Sequence, residues 1–281
     1  MHETHLAITT QGFSSAREVL SFCRVHDCFA AEYTFSREAV QLHEVEQELP
    51  EVEHLLNAGV LMRYHLAFKN RELADPDPTL AREALDFYRN CIQIVVGLGG
   101  RHVTLHIGLA AEDHSRLNYR TAADSLRTLA MVGDEYDVAV CLENLRTGPT
   151  SVPDSFWDLL RESGLQATLD VGHARAAEVA AAKPGYALEF IRRCGTRIRG
   201  AHVYDIERVP KSGGPAWHAA PEDLTAIRPL LDALLAHSSC DWWLIELPHV
   251  DEKIRTLHLL RHYLAEADHL LPTHHQLEEE S

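Results

Sequence analysis

Eight short apolar runs, separated by longer amphipathic stretches, constrain the fold more than any other feature. They are HLAIT (5–9), CFAAEY (28–33), VLMRYHL (60–66), HVTLHIG (102–108), VAVCLEN (138–144), QATLDVG (166–172), IRGAHVY (198–204) and WWLIEL (242–247). Runs this short and this uniformly apolar read as strands buried on both faces, as in a parallel sheet covered by helices. Helical patterns lie between them. From Thr79 to Leu98 the residues Leu80, Ala84, Leu85, Tyr88, Ile92 and Val95 recur at helical spacing, and Gly97, Gly99 and Gly100 mark the end. Asn118–Met131, Pro221–Leu235 and Ile254–Leu264 repeat the pattern, with Pro221 where a first helical turn tolerates it. Pro50 divides 36–57 into two short helices. Eight strand–helix units in 281 residues predict one α/β domain, a single (β/α)8 TIM barrel over residues 1–270, followed by a polar tail at 271–281. An open doubly wound sheet is the alternative, but no glycine-rich phosphate loop follows the first run.

Charge narrows the choice of partner. Asp and Glu number 42 against 26 Lys and Arg, a formal net charge of −16. That excess repels nucleic-acid backbones and anionic membranes alike. No apolar run reaches the roughly 18 residues of a membrane helix. The stretch MHETHLAITT lacks the basic and apolar segments of a signal peptide. The expectation is a cytoplasmic protein. Its cysteines, Cys23, Cys28, Cys91, Cys141, Cys194 and Cys240, form no Cys-x-x-Cys pair and read as buried reduced thiols.

A barrel of this kind carries its active site at the C-terminal ends of its strands. His65 stands there in the third run, His106 in the fourth and Glu143 in the fifth. Asp170 ends the sixth with His173 three residues on, His202 lies in the seventh with Asp205 after it, and Glu246 lies in the eighth. His218 falls in the loop between the last two, and Glu32, ending the second run, is a candidate substrate contact. A lone histidine at such a place is ordinarily a hydrogen-bonded core residue. Six successive strands bringing His, Asp or Glu to one end is a different matter. Carboxylates gathered in an apolar interior repel one another and are costly to desolvate unless a cation lies among them. Histidine with aspartate and glutamate is the usual ligand set of a divalent metal. Gly172 is read as letting the chain turn so that His173 reaches the pocket. Trp217 either offers a stacking face to a sugar ring or packs over the mouth, whereas Trp242 and Trp243 begin the eighth run and read as core.

The segments ENL (143–145), LDVGHA (169–174), GAHVYD (200–205) and IELP (245–248) resemble, in order and at barrel spacing, the xylose isomerase-like barrel superfamily. That superfamily includes sugar isomerases and epimerases and the endonuclease IV type of abasic-site nuclease. The epimerase branch implies one divalent cation (manganese, zinc, magnesium or cobalt) on Glu143, Asp170, His202 and Glu246. It makes Glu143 and Glu246 the catalytic proton carriers on either side of the substrate carbon, and it puts His173 on the substrate. The nuclease branch implies three zincs on nine residues. Eight have counterparts in His65, His106, Glu143, Asp170, His173, His202, His218 and Glu246. The ninth, the Asp of an Asp-x-His pair, is replaced in Ala216-Trp217-His218. That departure counts against a full three-metal cluster and leaves His65, His106, His173 and His218 as second-metal or substrate-binding residues.

The favoured reading is a divalent-metal-dependent isomerase or epimerase of a small polyhydroxy carbonyl compound, with no organic cofactor and no nucleic-acid partner. The alternatives are an endonuclease IV-like zinc phosphodiesterase, an inosose-type dehydratase and a metal-binding barrel of other activity. Against a nuclease, the loops over the mouth offer only Lys69, Arg71, Arg116, Tyr119 and Arg120, and the basic run RRCGTRIR (192–199) precedes the seventh strand, on the opposite rim. Relatives often pair, so a homo-oligomer is open, but no interface is readable.

Overall fold

The computed structural model describes residues 4–111, 113–210 and 214–270, with side chains through residue 267. The polar tail at 271–281 lies outside the described residues. The strands are β1 (His5–Thr9), β2 (Ala30–Thr34), β3 (Leu61–Leu66), β4 (His102–Leu105), β5 (Ala139–Glu143), β6 (Gln166–Asp170), β7 (Ile198–Val203), β8 (Ile206–Arg208), β9 (Trp217–Ala219) and β10 (Trp242–Ile245). All but β8 and β9 form a closed parallel barrel in the order β1-β10-β7-β6-β5-β4-β3-β2, the TIM barrel that the eight runs predict. Parallel pairing puts every C-terminal strand end on one rim. The register then sets heights: Asp170 pairs with His202 across β6 and β7, and Thr34 with His65 across β2 and β3.

The helices are α1 (Ala16–His26), α2 (Leu42–Glu46), α3 (Leu49–Asn57), α4 (Pro78–Gly97), α5 (Tyr119–Tyr136), α6 (Pro153–Ser163), α7 (Val171–Ala181), α8 (Tyr186–Cys194), α9 (Arg228–His237) and α10 (Val250–Leu270). Their starts follow local chemistry. Asp77 caps α4 by accepting from Thr79 N at 2.8 Å, and Asn118 caps α5 by accepting from Thr121 N at 3.1 Å. Pro50 falls in the first turn of α3, where its missing N–H costs nothing.

Two expectations need correction. The helix read from Pro221 begins only at Arg228, with Pro229 in its first turn; Asp223 accepts from Thr225 N at 2.8 Å and holds the preceding segment in a turn. The stretch after β7, read as a plain loop, contains an antiparallel hairpin of β8 and β9 that pairs Glu207 with His218. Trp242 and Trp243 are buried as expected, at the far end of β10.

Candidate metal centre

Four neighbouring strands, β10, β7, β6 and β5, bring Glu246, His202, Asp170 and Glu143 to one place. One donor atom from each lies within 4.8 Å of the others, and all four side chains are buried. His202 Nδ1 is 3.2 Å from Glu143 Oε2 and 3.3 Å from Glu246 Oε2. Yet none of these three buried atoms has a hydrogen-bond partner. Buried polar atoms are seldom left so. Ligands about 2.0–2.2 Å from one cation stand roughly 3–3.5 Å from each other, which is the spacing found here.

The surroundings fix these side chains. Asn144 clamps the backbone of Asp170, its Oδ1 accepting from Asp170 N at 2.8 Å and its Nδ2 donating to Asp170 O at 3.0 Å. Asp170 Oδ1 accepts from His173 N at 2.6 Å and so caps α7, while Oδ2 accepts from the Tyr204 hydroxyl at 3.0 Å. Gly172 does not serve a turn, as the sequence suggested. It sits inside the first turn of α7, and a Cβ there would lie 2.0 Å from the Tyr204 ring. Its lack of a side chain lets that ring approach Asp170.

Glu32 also departs from expectation. It stands behind the four, with Oε1 3.0 Å from His202 Nε2 and 3.7 Å from His65 Nδ1, and does not line the mouth cavity. A carboxylate on the far nitrogen of a ligating imidazole orients the ring.

Burial and mutual contact set the charge of each group. Burial raises Glu143, and it pushes Asp170 up to about 7. Burial also works against charge on Glu246, but the imidazoles of His202 and His218 outweigh it and hold that carboxyl well below the usual range. His202 is buried too, yet Glu143, Glu32 and Glu246 around it hold its proton well above the ordinary histidine value.

Two further groups flank this set. His65 Nε2 and His106 Nε2 are 2.7 Å apart and lie 3.4 and 3.6 Å from Glu143 Oε2. Burial takes His65 down to about 4 and His106 well below its ordinary value, so both imidazoles are neutral and offer lone pairs. On the other side, His173, Glu207 and His218 form a third candidate group. Glu207 Oε2 is 3.6 Å from His173 Nε2. His218 donates from Nδ1 to Glu246 O at 2.8 Å and stacks on Tyr204 at 3.9 Å between ring centroids. Sequence reasoning missed Glu207. Glu207 stands on the opposite strand of the hairpin from His218, paired with Arg146 at 2.5 Å.

Asp205 turns away to pair with Arg175, and Trp217 is 46% exposed and does not line the cavity. Arg199, from the basic run, lines a cleft on the N-terminal rim, as its position before β7 implies. The mouth cavity measures about 520 Å³. Among the described residues no Phe, Tyr or Trp lines it; its walls include Arg37, Lys69, His114 and Arg146.

Comparison with known proteins agrees with this architecture. The description "xylose isomerase-like TIM barrel" matches residues 40–270. The chain belongs to that family. This family member is 30% identical over 183 residues to the uncharacterized protein MJ0008 of Methanocaldococcus jannaschii, covering 65% of this chain and 74% of that one. Among solved structures it is similar to a D-tagatose 3-epimerase-like protein, with TM-score 0.74 and 16% identity over 95% of this chain and 99% of that one. It is also similar to endonuclease IV from Thermus thermophilus, with TM-score 0.62 and 19% identity over 93% and 99%. At these identities the structural likeness is one of fold.

Proposed function

We propose that this xylose isomerase-like barrel is a divalent-metal-dependent isomerase or epimerase of a small polyhydroxy carbonyl compound. The carrying observation is the arc of four ligands. Glu143 and Glu246 come from β5 and β10, at the two ends of the arc, so one carboxylate stands on each side of His202 and Asp170. Glu143, Asp170, His202 and Glu246 would hold the cation. When bound, the cation supplies a Lewis acid that polarises a carbonyl and acidifies the neighbouring C–H. Glu246, which His202 and His218 keep ionised, would take that proton, and Glu143 would return one after receiving it from solvent. His173, with Nδ1 donating to Asn144 O at 3.0 Å, presents Nε2 to the cavity. The centre lies at the base of a cavity with room for a small molecule. Glu246→Gln is the test. The variant should keep its fold and lose exchange of substrate hydrogen with tritiated solvent; retained exchange would remove Glu246 from proton transfer.

A second reading, a multinuclear zinc phosphodiesterase similar to endonuclease IV, is favoured by one observation. The groups His65–His106–Glu143 and His173–Glu207–His218 stand on either side of the central set, the first sharing Glu143 with it. Two or three cations per chain, with hydrolysis of a phosphodiester, would favour this reading over proton transfer.

A further inference from the structure

The chain as a whole carries a net charge of −16, yet cations gather over the mouth of its barrel. Arg37 comes from the loop after β2, Lys69 from the loop after β3 and Arg146 from the loop after β5. Two of them are committed. Lys69 Nζ lies 2.8 Å from Glu38, and Arg146 Nε lies 2.5 Å from Glu207. Arg37 is not. Its Nε is buried without a hydrogen-bond partner, and among the described residues no carboxylate pairs with its guanidinium. Its backbone is tied down, since Arg37 O accepts from Lys69 N at 2.8 Å. Its charge reaches His65 and His106 and adds to the forces that keep them neutral. Its Nε is the donor that is both buried and unpaired, which is costly, and the rest of the fork is free to take a ligand. An oxyanion of the ligand removes that cost, and a bidentate pair is among the strongest such contacts.

We propose that Arg37 is a specificity residue that binds a terminal oxyanion, a phosphate or carboxylate, on the substrate, with Lys69 and Arg146 beside it. The polyhydroxy carbonyl end of the same molecule then reaches Glu143 and Glu246. This names the substrate class for the isomerase reading and rests on it: an anionic sugar derivative.

The test uses metal-loaded protein and calorimetric titration with inorganic phosphate and, separately, with acetate. Wild type should bind one of the two, and which one it binds identifies the group. Arg37→Gln should weaken that binding about tenfold or more, with partial recovery in Arg37→Lys. Among the described residues the Arg37 side chain bonds to nothing, so both variants should unfold at the wild-type temperature. Equal binding by wild type and Arg37→Gln, or no binding of either anion, overturns the proposal. Solvent tritium uptake then separates it from the isomerase reading. Uptake into a neutral ketose as fast as into its terminal phosphate or acid, and indifferent to Arg37, leaves the isomerase reading standing and sinks the anion site. Anion binding that depends on Arg37, with no uptake into any of these compounds, keeps the anion site and sinks the isomerase reading.

Discussion

Gly172→Ala sets two physical effects against each other. Gly172 lies in the first turn of α7 with ordinary helical backbone, and alanine there should gain up to about 1 kcal/mol of helix propensity. The added Cβ would lie 2.0 Å from Cε2, 2.4 Å from Cζ and 2.5 Å from Cδ2 of Tyr204. That ring is fully buried, bonds Asp170 through its hydroxyl at 3.0 Å and stacks on His218. It has nowhere to go without breaking both contacts. Overpacking alone costs about 1–3 kcal/mol. A lost hydrogen bond to a buried carboxylate costs about 1.5–3 kcal/mol, and the ring stack about 0.5–1.5 kcal/mol. These overlap, so the net expectation is about 2–4 kcal/mol of destabilisation, a fall in Tm of roughly 5–15 °C. Urea and thermal unfolding of the metal-loaded protein measure it. Adding Tyr204→Ala to Gly172→Ala should cost far less than Tyr204→Ala alone, because the clash has gone. A single variant as stable as wild type, or more so, would refute the close approach and leave helix propensity in control.

Metal affinity should depend on pH in a definite direction. Burial pushes Asp170 up to about 7 in the metal-free protein, so below that pH a cation must displace its proton. Titration should show affinity falling about tenfold per pH unit below 7 for that one proton; a flat profile from pH 5 to 8 would contradict it. The same shift acts on folding. A carboxyl raised above its unfolded value of about 3.9 contributes stability present below that value and lost as pH rises through 7. Asp170→Asn should remove that part of the slope in urea unfolding of metal-free protein. His173 is held at about 10: burial opposes its charge, but Asp170, Glu207 and Glu143 prevail. It is therefore protonated at neutral pH, so a cation binding at His173–Glu207–His218 should release that proton, as titration in buffers of different ionisation enthalpy would reveal; binding there with no proton release would contradict it. Asn144→Ala removes both clamps on the Asp170 backbone, and should cost about 2–4 kcal/mol in unfolding and about 10–100-fold in metal affinity.

What the sequence revealed follows from what each feature depends on. The barrel was legible because buried parallel strands leave uninterrupted apolar runs, and any polar residue ending such a run stands out. His65, His106, Glu143, Asp170, His202 and Glu246 were found in that way, and the structure brings them together. Glu207 was not, because it lies in a three-residue strand, eleven positions from the His218 it pairs with. Its place depends on a hairpin whose sequence, rich in Pro and Gly, reads as loop. Arg37 was missed for a related reason: a cation on a loop is ordinary until the fold leaves it without a partner. Gly172 was noticed but misread, since sequence shows a glycine without showing which ring needs the space. Pro221 was compatible with a helix start, but the side chain of Asp223 competed for the backbone and Pro229 took the role.

The central claim is a cation held by Glu143, Asp170, His202 and Glu246 with proton transfer beside it. The most direct measurement is the divalent-metal content per chain, by elemental analysis, of protein equilibrated with manganese or zinc and then freed of loose metal. One equivalent, lost in Asp170→Asn, is the predicted result. Two or three equivalents would contradict the one-cation isomerase reading and transfer the case to the phosphodiesterase, and no retained cation would contradict the metal centre itself.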